Sequence, residues 1–367
     1  MKELFARAGL LACTLLCTTV LLAQNVPSPR SEQQQPSPPP AQAQPSQEPQ
    51  QQQPPPAGDS RNQPGDTVQV PAQQGTEPSR QEGDVFVFRK EVEEVQLHAT
   101  VVDDRHRLVT DLARNDFAVF ENGSPQKITS FRREDIPVSI GIVIDNSGSM
   151  RDKRPAVNQA AINLVKASNP NDEVFIVNFN DEYYLDQDFT ADVKKLQEGL
   201  EKIDSRGGTA LYDAVVASAD HLKKNSRLDK RVILVVTDGE DNASRESLEQ
   251  SIRRLEDENG PTVYTIGILG DEHQKRARRA LQAIADRTGG VAFFPKDLRE
   301  VDAISREVAH DIRNQYTIGY KPDVAKTEGG YRTVKVEAKA PGHGKLFVRT
   351  RTGYYAGQER ASSQGGK

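Results

Sequence analysis

Hydrophobic and polar positions change rhythm along this 367-residue chain. From Val85, apolar and polar residues alternate through VFVFRKEVEEVQLHATVVDD, the period of strands with one buried face. Two further strands are expected at Phe117–Glu121 and Gln126–Phe131, joined by the hairpin signal Asn122-Gly123. Past Pro137, alternation gives way to runs of β-branched residues at Val138–Ile144, Glu173–Phe179, Arg231–Thr237, Thr262–Ile268 and Val291–Phe294. Such runs fit strands buried on both faces of a parallel sheet. Between them apolar residues recur at helical spacing. One face carries Val157, Ala160, Ala161, Leu164 and Val165, and another carries Leu211, Ala214, Val215 and Leu222. Ala277, Ala280, Leu281 and Ile284 repeat the spacing, as do Leu298, Val301, Ile304, Val308 and Ile312. The alternation over 137–313 predicts an α/β domain with a doubly wound, mostly parallel sheet. Strand patterns return at Tyr316–Tyr320, Tyr331–Ala338 and Lys345–Arg351. Antiparallel β segments over 83–136 and 314–357 therefore flank the α/β domain and are candidates for a shared β-sandwich.

Composition changes the picture at the two ends. Lys2 and Arg7 precede an apolar run from Ala8 to Leu22, and Ala23 ends it, so residues 1–23 read as a secretory signal peptide. An uncleaved N-terminal anchor is the alternative, and it is the one route to a membrane. Residues 24–82 hold most of the 22 prolines together with Gln, Ser and Ala. With few large apolar residues, such a stretch cannot offset its ordering entropy and reads as a disordered linker. Residues 358–367 read as a disordered tail. Both cysteines, Cys13 and Cys17, lie in the signal segment, so the exported part carries no disulfide. An exported protein of the periplasm, cell envelope or medium is expected. The net charge of −5 argues against a nucleic-acid partner, and the basic run His273–Arg279 falls on the polar positions of a helix.

Candidate chemistry gathers at strand ends. In doubly wound sheets ligands bind beyond the carboxyl ends of the strands. The first α/β strand ends on Asp145, and Ser147 and Ser149 follow around Gly148. Neither a Gly-x-Gly-x-x-Gly nor a Gly-x-x-x-x-Gly-Lys loop occurs there. Alternation in an extended turn puts the three side-chain oxygens on one side, and hard oxygens suit Mg²⁺. Alone the spacing is a weak signal, since Asp145 or Asn146 could merely cap a helix. Thr209, after Gly207-Gly208, and Asp238, closing RVILVVTD, add a hydroxyl and a second carboxylate at the same edge. Asp181, Glu240 and Asp241 lie near it in sequence and read as solvated loop carboxylates, with tuning of the site or a second ion as the sharper alternative.

Asp145, Ser147, Ser149, Thr209 and Asp238, in this order and context, resemble the metal-ion-dependent adhesion site of von Willebrand factor type A (VWA) domains. The flanking DFAVFENGSPQKITSF and RTRTGYYA resemble a bacterial exported group of VWA-related proteins. The resemblance implies a Rossmann-like VWA fold over 137–313 and Mg²⁺ or Mn²⁺ as cofactor. It also implies a protein partner that presents an acidic residue to the ion, and no catalysis. An envelope assembly or scaffold factor is the second expectation and a Mg²⁺-dependent hydrolase the third. A serine hydrolase would need a Gly-x-Ser-x-Gly elbow, whereas Asp145 stands two residues before Ser147.

Overall fold

The computed structural model describes residues 94–133, 135–201, 205–270 and 274–357. The signal peptide, the Pro/Gln-rich linker and the tail expected from the sequence lie outside the described residues. Before the central domain run β1 (Val95–Val102), β2 (Phe117–Glu121), β3 (Ser124–Gln126) and β4 (Ile128–Arg132). The central domain contains β5 (Val138–Asp145), α1 (Arg154–Ala167), β6 (Glu173–Phe179), β7 (Tyr183–Thr190), α2 (Val193–Glu201) and α3 (Leu211–Asn225). It continues with β8 (Lys230–Thr237), α4 (Leu248–Leu255), β9 (Thr262–Gly267), α5 (Lys275–Thr288), β10 (Ala292–Phe293) and α6 (Arg299–Arg313). After it come β11 (Tyr316–Tyr320), β12 (Gly330–Ala338), β13 (Phe347–Arg349) and β14 (Gly353–Ala356).

The central sheet has the order β10-β9-β8-β5-β6-β7. All its pairings are parallel except that of β7 with β6. Its β-branched runs are buried because helices cover both faces. One face packs Ile140, Ile142 and Val232 against Leu164, Val308 and Ile312, and the other packs Val143, Ile233 and Val235 against Val215, Leu222 and Ile284. Strand β5 is buried at all eight positions. Gly141 lies at its centre because the Phe175 ring crosses there, and a methyl group at residue 141 would come within 2.4 Å of Phe175 Cζ. Strand β7 departs from the apolar-run pattern. Its YYLDQDFT is polar and half-exposed because it forms the antiparallel edge, with one strand neighbour.

The two flanks pair with each other. Strand β1 lies between β11 and β13 in one antiparallel sheet, and β12 pairs β2 in the other. Leu97, Val119, Ile318, Val336 and Tyr316 share the core between them. The strand expected at Gln126–Phe131 divides around Lys127. Segment β3 closes a hairpin with β2, while β4 crosses to β11 in the opposite sheet. The hairpin turns through Asn122 (φ 49°) and Gly123 (φ 80°), the two positive angles of a type I′ turn. The sandwich meets the central domain near the strand starts. Arg349 pairs with Asp311 at 3.0 Å, and Tyr355 N–H donates to Glu256 O at 2.7 Å. A cavity of about 220 Å³ there is lined by His98 and Gln96 on one side and Arg231 and Thr262 on the other. The carboxyl ends of the sheet face the opposite way.

Inside the sandwich Glu121 accepts hydrogen bonds from Tyr320 Oη at 2.6 Å and Tyr354 Oη at 2.8 Å, and pairs with Arg332 at 3.4 Å. Both charged side chains are 3% exposed. Breaking a buried pair leaves an uncompensated charge, which costs about 3–5 kcal/mol. Glu121→Ala is therefore expected to destabilise the protein by about that amount in urea unfolding. An unchanged midpoint would mean that the cluster contributes nothing to the fold.

Candidate metal centre

Strand β5 delivers Asp145 to the carboxyl edge with no solvent exposure. Its carboxylate is fixed from two sides: Oδ1 accepts the Ser147 N–H at 2.8 Å, and Oδ2 accepts the Thr237 hydroxyl at 2.6 Å. The first bond closes an Asx turn, which stops the strand and starts the short 3₁₀ turn Gly148–Met150. Met150 is fully buried and pins that turn to the core. The Ser147 and Ser149 hydroxyls come within 3.2 Å of each other, and Ser149 Oγ donates to Asp238 Oδ1 at 2.8 Å. Asp238 follows β8, and its other carboxylate oxygen receives the Lys153 ammonium.

Thr209 joins from a third loop. Its N–H donates to Asn242 Oδ1 at 2.9 Å, and its carbonyl accepts from Asn242 N at 3.0 Å. A methyl group at residue 239 would lie 3.5 Å from Thr209 Oγ1, so this hydroxyl sits directly beside the Asp238-Gly239 loop. The first and third loops are tied together as well. Asn146 O accepts from Arg206 N at 3.0 Å, and Ser205 Oγ donates to Asn146 Oδ1 at 2.9 Å. Asp145, Ser147, Thr209 and Asp238 are buried, and Ser149 is exposed at the rim.

Burial raises the pKa of Asp145 above the usual carboxylate range. The Thr237 and Ser147 hydrogen bonds oppose that shift, and the Asp238 charge adds to it. Two carboxylates thus converge in a place short of water, and one already holds an ammonium. That is the electrostatic demand a cation would meet.

Residues 140–240 match the family model of the von Willebrand factor type A domain. The chain carries a VWA domain. Among solved structures it is similar to the conserved hypothetical protein BatB from Bacteroides thetaiotaomicron, at 18% identity over 47% of this chain and 98% of that one, with a TM-score of 0.38. It is also similar to the vWF domain of the type V pili tip protein Mfa5 from Porphyromonas gingivalis, at 14% identity over 48% and 95%, with a TM-score of 0.41. A von Willebrand factor type A protein from Catenulispora acidiphila matches at 14% identity over 73% and 74%, with a TM-score of 0.42. No curated protein matches the chain.

The VWA domain brings all five sequence-derived residues into one cup. Its donors are two carboxylates and three hydroxyls, all hard oxygens, a set that could hold a hard divalent ion. Among the described residues no group of three or more His, Cys, Asp or Glu could hold a metal, so any such site in them leans on hydroxyls. Two of the neighbouring acids serve the backbone. Asp181 Oδ1 accepts from Gly208 N at 2.8 Å, and Asp241 Oδ2 accepts from Tyr212 N at 3.0 Å and Ser244 Oγ at 2.6 Å. Glu240 faces Arg276 at 3.7 Å. Arg151 reaches Ser205 O at 2.9 Å, which leaves Lys153 as the basic residue at the cup.

Thr237 is the functional residue that the sequence pattern passed over, and Lys153 joins it at the cup. Thr237 had a signal, because strand pairing puts Ile144 beside Val236 and hence the next residues, Asp145 and Thr237, side by side. Thr237→Val keeps the shape and removes the hydroxyl that Asp145 needs. It is expected to cost about 1–3 kcal/mol in chemical unfolding, with Thr237→Ser close to wild type. Equal stability of all three proteins would show that the bond is not needed.

Proposed function

We propose that this is a binding protein whose VWA domain holds Mg²⁺ (or Mn²⁺) at Asp145, Ser147, Ser149, Thr209 and Asp238 and captures an acidic residue of a protein partner. The observation that carries the reading is the convergence of five oxygen-bearing side chains, two of them carboxylates, from three loops at one sheet edge. Two carboxylates balance a divalent ion and hydroxyls add no charge. A bound ion would therefore offer an electrophilic position to an incoming carboxylate. The protein's own part is to hold the oxygens in place. Thr237 and the Ser147 N–H orient Asp145, Ser149 orients Asp238, and the Asn242 contacts set Thr209. Lys153 neutralises Asp238 when no stronger cation is present.

A hydrolase would need a general base beside the cup. Asp181 and Asp241 are committed to the backbone N–H groups of Gly208 and Tyr212, which favours binding over catalysis. Export fits the same reading. Residues 1–23 would direct the chain out of the cytoplasm, and the Pro/Gln-rich stretch over 24–82 would space the folded part from its attachment. The folded part would comprise the VWA domain over 137–313 and a sandwich built from 83–136 and 314–357.

The test is capture of envelope proteins by the full chain in Mg²⁺ or in chelator, with Ser147→Ala alongside. Partner retention is expected in Mg²⁺ only, and Ser147→Ala should lose it while keeping its circular dichroism spectrum. Equal capture under all three conditions would refute the metal-dependent reading.

A further inference from the structure

Beside the cup lies a surface that the metal-site reading leaves unused. Tyr183, Tyr184 and Leu185 are 50%, 47% and 48% exposed, three of the five large hydrophobic side chains that stand out among the described residues. They open β7 on the outer edge of the central sheet. Register places them beside the metal ligands. Asp145 pairs with Phe179 across β5 and β6, and Phe179 pairs with Tyr183 across β6 and β7. Two strand spacings put Tyr183 about 10 Å from Asp145, which an extended peptide covers in about three residues.

The same tyrosine lines a cavity of about 510 Å³ whose charge is one-sided. Asp181, Glu182, Asp213, Asp220 and Glu246 face it together with Arg245. Arg254 pairs with Asp220 at 2.6 Å, so five carboxylates against two guanidinium groups leave three negative charges. The wall toward the cup is shared with Thr209. Ala243, which lines the cavity, donates its N–H to Thr209 O at 3.3 Å, and Asp181 holds Gly208.

An apolar rim over an acidic floor suits a side chain with an apolar stem and a cationic head. A wholly apolar group would strip water from the carboxylates, and an acidic one would be repelled. We propose that the partner's binding segment carries a lysine or arginine about three residues from the acid that it presents to the metal. Its stem lies on Tyr183 and Leu185, and its charge enters the acidic cavity, where the Tyr183 ring adds a cation–π contact. This inference rests on the metal-dependent reading above and goes beyond it by naming a second determinant of partner choice.

The probe is a library of random short peptides displayed on phage, selected on the full chain in millimolar Mg²⁺ and eluted with chelator. Eluted clones are expected to share an acidic residue with a basic residue about three positions away, enriched about tenfold over the starting library. The double variant Glu182→Lys/Glu246→Lys should lose the basic enrichment and keep the acidic one. Clones with an acid and no basic bias, or a basic bias that survives the double variant, would overturn this inference and leave the metal reading standing. Absence of chelator-eluted clones would overturn both.

Discussion

Asp145 is a fully buried carboxylate at the tip of the central strand, and a buried charge is tolerated only where hydrogen bonds and counter-charge surround it. Much of the carboxyl edge is arranged to meet that demand. The Ser147 N–H and the Thr237 hydroxyl take its two oxygens, and the turn that supplies Ser147 also sets Ser149 against Asp238. Asp238, in turn, draws in Lys153 from the start of α1. The cup is therefore a chain of mutually required bonds rather than five independent residues. A divalent ion entering it would find its ligands oriented before it arrives, with the Lys153 ammonium to displace.

Position in the sheet explains why the demand can be met there. Strands β5 and β8 are central neighbours and end level, so a polar residue at each tip lies beside the other. The sandwich formed by the two flanks attaches near the strand starts, through pairs such as Arg349–Asp311. It braces the domain at one pole and leaves the other for contact. The open edge strand β7 brings its exposed tyrosines to the level of Asp145.

Much of this was legible in the sequence, for identifiable reasons. Continuous apolar runs mark strands buried on both faces, so β5, β6, β8 and β9 stood out. The five cup residues stood out because strand ends and Gly-containing loops locate the ligand edge of such a sheet. Strand β7 did not, because half-exposed residues on an edge strand carry no apolar run. Helix α4 is short, and its start is fixed by Ser247 and Gln250 bonding reciprocally rather than by a long apolar face. The division of Gln126–Phe131 between two sheets was hidden because a strand that changes sheet keeps its alternation. Lys153 and Arg151 both follow the cup loop in sequence, and only the folded distances separate the first, which reaches Asp238, from the second, which reaches a backbone carbonyl.

The central claim is that this cup takes a divalent cation, and titration of Mn²⁺ into the full chain followed by electron paramagnetic resonance reads that event directly. The account predicts one bound ion per chain, displaced by excess Mg²⁺ and lost in Asp238→Ala while the protein stays folded. Wild-type protein that leaves all the Mn²⁺ free at millimolar concentration, or an Asp238→Ala variant that binds it as well as wild type does, would contradict it.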